Sequence, residues 1–105
     1  MKVAITSSGN TVEAQLDQRF GRCAFFAILD TESKQVEFVE NAGKSAEEGA
    51  GPAAVATVAK YGVEKIVSGE FGFKIKSMLN DLKIQMVMLK ESVTVKELIE
   101  MLEKQ

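Results

Sequence analysis

Few side chains in this chain can do chemistry, and two arginines lead them. Arg19 and Arg22 are its only arginines, and they bracket Phe20-Gly21. A guanidinium stays charged and presents a rigid fork of donors, so it suits an anion with several oxygen or sulfur acceptors. The plainer reading is a pair of surface ion pairs, one of them with Asp17. The single cysteine, Cys23, comes next. As a thiolate it could ligate a metal or cluster, with Arg22 lowering its pKa. The reading given more weight is a small buried hydrophobe at the start of a strand. Met86 and Met88 are soft donors as well, but methionine in a strand more often fills a core. Two glycine-rich turns, Gly49-Ala50-Gly51-Pro52 and Gly69-Glu70-Phe71-Gly72, precede helical segments. Exposed N–H groups and the helix dipole favour an anion there, although such turns are also common joints. Neither is a Walker A loop or a full GxGxxG with its acidic partner, and Glu47, Glu48 and Glu70 oppose a phosphate. Nucleotide binding is not expected.

What the chain lacks excludes whole classes. With no histidine there is no imidazole acid–base chemistry, no Ser-His-Asp or Cys-His hydrolysis and no His-based metal site. One cysteine permits no internal disulfide and no Cys-rich zinc site. A net charge of -2 gives no basic excess to drive non-specific nucleic-acid binding. No apolar run is long enough for a bilayer, and the N-terminus enters a strand-like segment without a signal-peptide pattern. The expectation is a cytoplasmic protein with no nucleic-acid or membrane partner. At 105 residues the chain holds one domain, residues 1–105.

The positioning elements follow from periodicity. Val3, Ala4 and Ile5 mark a buried strand over 2–6, stopped by Ser7-Ser8-Gly9-Asn10; residues 9–18 are polar and read as loop. Strands over 23–30 and 35–40 flank a short polar turn and make a hairpin. Residues 41–51 form an acidic, small-residue loop. A helix opens at Gly51-Pro52, runs to Tyr61 and stops at Gly62. Strand 64–68 follows, then a helix reaching Lys83 with Ile75, Met78, Leu79 and Leu82 on one face. Strand 84–89 precedes a last helix capped by Thr94 and Glu97, with Val95, Leu98, Ile99 and Leu102 as its stripe.

This βββαβαβα order implies an α/β fold with a mixed five-stranded sheet, ribonuclease H-like in topology. Right-handed parallel crossovers give strand order 3-2-1-4-5 with only strand 2 antiparallel, and helices on both faces. The first two helices share one face and the third covers the other. Open α/β sheets bind ligands where the winding direction switches, here between strands 1 and 4. Residues 7–10, 19–23, 41–52 and 68–73 gather at that edge. A ribonuclease H-like nuclease needs central carboxylates for two metal ions. Strand 1 has none and strand 4 ends in Ser68, so the nuclease reading fails on residues.

The chain also carries Met1-Lys2-Val3-Ala4-Ile5-Thr6-Ser7, then Leu16-Asp17-Gln18-Arg19-Phe20-Gly21-Arg22 with Phe25 and Phe26 after it. Asp30 and Glu40-Asn41 follow, then Gly51-Pro52-Ala53-Ala54, Tyr61-Gly62-Val63, Ser68-Gly69 and Gly72. Over nearly its whole length it resembles the dinitrogenase iron-molybdenum cofactor biosynthesis family, the NifX-like proteins and the C-terminal domain of NifB. The Arg-Phe-Gly-Arg segment with Asn41 and Gly51-Pro52 is its most specific part. The resemblance implies the ribonuclease H-like motif without nuclease activity. It also implies binding or carriage of anionic iron-sulfur-based clusters, molybdenum-containing precursors included, alongside a cofactor-assembly or recipient protein. Together with the sheet edge it singles out Ser7, Ser8, Arg19, Phe20, Gly21, Arg22, Asn41, Gly51, Gly69 and Gly72 as cofactor-binding, and Cys23 as a metal ligand. Phe73 departs from the proline that many members place after Gly72. The expected function is non-enzymatic carriage of an iron-sulfur or iron-molybdenum-type cluster. The alternative is a metal-free regulatory or protein-interaction module of the same fold.

Overall fold

Runs of β-branched and aromatic residues set the strands, and a computed structural model describes residues 1–104. The strands are β1 (Lys2–Ser7), β2 (Phe25–Asp30), β3 (Val36–Glu40), β4 (Val63–Ser68) and β5 (Gln85–Met88). The helices are α1 (Ala50–Lys60), α2 (Phe73–Asp81) and α3 (Val95–Glu103). They build one mixed sheet in the order β3-β2-β1-β4-β5. β2 runs antiparallel to β1 and β3, while β1–β4 and β4–β5 are parallel. Order and directions are those read from the sequence.

Alternation along the central strands divides the core in two. Ala4, Phe26, Ile28 and Ile66 point to one face and pack with Ala54, Val55 and Val58 of α1 and Ile75 and Leu79 of α2. Val3, Ile5, Ala27, Leu29 and Val67 point to the other, against Val95, Leu98 and Ile99 of α3. A period of two in the strands thus meets a period near 3.6 in the helices on both sides. The two-to-one division of helices is as expected.

Boundaries differ where a local hydrogen bond outcompetes the ladder. β2 begins at Phe25 rather than residue 23, because the Cys23 carbonyl accepts from the Asn41 side chain at 2.9 Å. α1 begins one residue early, at Ala50, behind a left-handed Gly49 (φ 68°). α2 stops at Asp81 instead of reaching Lys83, which itself turns left-handed (φ 59°). There the Ile84 N–H donates back to Leu79 at 2.9 Å. That is a Schellman-type stop in which lysine stands where glycine is usual. Thr94 caps α3 with the full reciprocal box: Thr94 Oγ1 accepts from the Glu97 N–H at 3.1 Å, and the Thr94 N–H donates to Glu97 Oε1 at 2.9 Å.

The segment read as polar loop does more than connect. Leu16 is buried, and its N–H donates to the Val93 carbonyl at 2.8 Å. Asp17 N–H donates to Thr6, and the Val95 and Lys96 N–H groups donate to Ala14 and Val12. The segment therefore laces the start of α3 to the end of β1. Its apolar residues, Val12 and Leu16, are too sparse among polar neighbours to announce this.

Candidate functional site at the sheet edge

The antiparallel register puts Ser7 opposite Phe25 and Phe25 opposite Glu40. The end of β1, the start of β2 and the end of β3 are therefore level, and the segments leaving them meet above the sheet. Three backbone approaches define the meeting. A Cβ on Gly21 would lie 3.5 Å from the N and Cα atoms of Gly51, so the arginine segment runs along the start of α1. A Cβ on Gly51 would collide with the Ile75 side chain, which brings α1 against the first turn of α2. Arg19 pairs in parallel with Glu70, which ties the arginine segment to the second glycine turn. Phe20 seals the junction from below, with ring centroids 5.5 Å from Phe26 and 5.6 Å from Phe71.

Both helix starts are electrostatically open. Neither Gly49 nor Gly72 offers a side-chain cap, and neither first turn carries an acidic residue. The orphan N–H groups and positive dipole ends of two adjacent helices thus present to the same edge. Glu70, expected to oppose an anion, is paired with Lys90 at 3.4 Å.

The two arginines take different work. Arg19 is exposed; its N–H donates to Asp17 Oδ1 at 2.9 Å and its Nε lies 3.4 Å from the same oxygen. This is the Asp17 ion pair foreseen as the plainer reading. Among the described residues no hydrogen bond engages the Nη groups. Arg22 Nη1 donates to the carbonyl oxygens of Gly43 and Lys44, each at 3.4 Å, and to that of Ala46. It fastens the loop that leads into α1.

Asn41 is the clamp of the edge. Buried, it donates from Nδ2 to Gly21 (3.0 Å) and Cys23 (2.9 Å), and its Oδ1 accepts from the Gly43 N–H at 2.8 Å. One amide joins the arginine segment to the loop. Gly43 completes the joint: a Cβ there would run into the carbonyl oxygens of Ala50 and Gly21. Sequence reasoning passed over Gly43, although a lone glycine two residues after an asparagine in a loop was the available signal.

The other candidates serve the frame. Ser7 is fully buried and its hydroxyl donates to the Gly9 carbonyl at 2.6 Å. Ser8 is exposed and its Oγ accepts from the Gln15 N–H at 3.2 Å. Gly69 is needed because a Cβ would collide with Gln18. Gly72 sits at the open N-cap of α2, and the first residue of that helix, Phe73, is 89% exposed.

Cys23 lies fully buried, and its thiol donates to the Phe20 carbonyl at 3.4 Å. Burial pushes the thiol up to about 12 from the ordinary 9.0; the Asp17 charge adds to this and the Asn41 hydrogen bond opposes it. Among the described residues no group of three or more His, Cys, Asp or Glu side chains could hold a metal ion. The raised thiol has a consequence for stability. Below pH 9 the thiol is protonated whether folded or unfolded. Between 9 and 12 only the unfolded chain loses the proton, so stability falls as pH rises, by up to about 1.4 kcal/mol per pH unit. Cys23→Ala is expected to flatten this alkaline slope, measured as urea unfolding from pH 8 to 11. A slope identical to that of the parent chain would mean the thiol ionises freely in the fold.

The fold is thus a single mixed α/β sheet whose edge gathers two helix starts without side-chain caps and the Arg19–Arg22 segment. A sequence model for the dinitrogenase iron-molybdenum cofactor family matches residues 1–105. The chain belongs to that family. It is similar to the orange protein of Desulfovibrio gigas, solved in its apo form: TM-score 0.90 at 29% identity, covering 98% of this chain and 87% of that one. It is also similar to a Thermotoga protein described as a candidate NifB of the DUF35 family, with TM-score 0.84 at 32% identity over 98% and 87% of the two chains. An uncharacterized protein of Methanocaldococcus jannaschii is 30% identical over 87 residues, which are 80% of this chain and 70% of that protein. Among the described residues no helix is long and apolar enough to cross a membrane.

Proposed function

We propose that this protein binds and carries a preformed anionic metal–sulfur cluster, iron-sulfur-based or molybdenum-containing, without transforming it. The observation that carries the reading is the convergence of two uncapped helix N-termini on the Arg19–Arg22 segment, in a chain of the iron-molybdenum cofactor family. The donor set favours recognition from outside the cluster. With Cys23 buried as a thiol and no ligand cluster among the described residues, the cargo would arrive with its metals already saturated by sulfide. Its outer sulfurs would accept hydrogen bonds from backbone N–H groups and from Arg19. Charge-assisted bonds of this kind contribute roughly 1.5–3 kcal/mol each. The D. gigas relative supports the reading in kind, since a form described as apo is one without its bound group. Such a carrier would exchange cargo with a cofactor-assembly or recipient protein. The cytoplasm, where thiols stay reduced and a free cysteine is ordinary, suits it.

Anaerobic reconstitution with iron, sulfide and molybdate tests this. The chain should acquire visible absorption that comigrates with it through gel filtration. A colourless chain after reconstitution would favour the metal-free interaction module instead.

A further inference from the structure

Two phenylalanines flank Gly72, the N-cap of α2, and do opposite things. Phe71 is buried at 6% exposure and packs on Phe20, whereas Phe73 stands 89% exposed, the most exposed large apolar side chain among the described residues. Only Gly72 separates them. A helical side chain leans toward the N-terminus of its helix, so the first residue covers surface beyond the helix end. For Phe73 that surface is the rim where α1 and α2 present their open N–H groups. The same residue thus offers a backbone N–H of the orphan set and a bare phenyl ring above it.

We infer that Phe73 is the specificity element of the edge, forming an apolar wall that selects a large, sulfide-surfaced, weakly hydrated anion over a small hydrated one such as phosphate. The inference rests on the cluster-carrier reading above. N–H groups and a guanidinium attract any anion, so they cannot discriminate alone. An aromatic ring can: polarizable sulfur packs favourably against it, at the edge or face. Phosphate gains nothing from that contact and must shed water to approach the ring. Proline at this position would keep the helix start but supply neither the N–H nor the ring.

The test uses the full chain reconstituted anaerobically with iron, sulfide and molybdate, and inorganic phosphate as the second probe. Phe73→Ala should lower cluster affinity about tenfold, and Phe73→Leu by less, because bulk and apolarity remain. Phosphate affinity should not change in either. Both variants should keep the parent's unfolding midpoint, since the ring contacts little of the fold. Phe73→Trp adds a reporter, for the chain has no tryptophan. Its emission should be quenched on cluster binding and unmoved by phosphate. If the parent binds cluster but Phe73→Ala binds it equally well, the wall is refuted while the carrier reading survives. If the parent binds phosphate as tightly as cluster, the selectivity is refuted. If the parent binds no cluster, the carrier reading falls and this inference falls with it.

Discussion

Asn41→Ala is expected to be the most damaging single truncation at the edge, lowering stability by about 3–5 kcal/mol. The side chain serves three backbone groups: the carbonyls of Gly21 and Cys23 and the N–H of Gly43. Alanine would strand all three, and Asn41 is only 5% exposed, so water cannot easily replace the amide. A buried group left unpaired costs roughly 1–3 kcal/mol, and a small domain has only about 5–15 kcal/mol in total. Asn41→Asp should do little better. It retains the acceptor for Gly43 but sets a second carboxylate oxygen against two carbonyls. Urea unfolding of both variants measures the effect. A loss below 1 kcal/mol in the alanine variant would show that the clamp holds nothing.

Removing both arginines should weaken cluster binding by at least ~100-fold, Arg19 through a lost charge-assisted bond of roughly 1.5–3 kcal/mol and Arg22 through the loop it fastens. The single variants separate the roles that the geometry assigns. Arg19→Gln should lose affinity while changing stability by no more than about 1 kcal/mol, because the Arg19 end of the Asp17 pair is 62% exposed. Arg22→Gln should release the carbonyls of Gly43, Lys44 and Ala46, and so raise hydrogen exchange through residues 43–49. Its effect on affinity would come through the loop and the start of α1. A folded double variant that binds cluster like the parent would place the cargo elsewhere.

The fold was legible because its signals are local and redundant. Val3-Ala4-Ile5, Phe25 to Leu29 and Ile66-Val67 are runs that only strands in a buried sheet explain, and the Thr94–Glu97 box announces α3. Given that order, the handedness of parallel crossovers left little choice of topology. The edge was legible as a place, since Arg19, Gly51 and Gly72 were found there by topology alone. The division of labour within it was not. Arg19 and Arg22 look equivalent in sequence, three residues apart, and only the path of residues 43–46 turns one toward the frame. Gly51 and Gly69 look like ligand-cradling glycines but are dictated by Ile75 and Gln18, contacts between residues far apart in the chain. Phe73 was visible only as a departure from a pattern; its exposure depends on the glycine before it and the packing of Phe71.

The β2–β3 hairpin is tied at both ends, by the Thr31–Lys34 turn at one and by the Asn41 clamp at the other. That double closure has a kinetic meaning. Asn41 reaches Gly21 across only 20 residues, whereas Thr6 meets Val67 across 61. The shorter loops lose less chain entropy on closing, so the hairpin with its arginine segment should assemble before the parallel ladder. Pulse-labelled hydrogen exchange would read this as protection in β2 and β3 ahead of β4. α1 and α2 acquire their places only through that ladder. A nascent chain would therefore own its arginine segment early but gather the two helix starts late, and cargo loading becomes a step that waits for folding to finish.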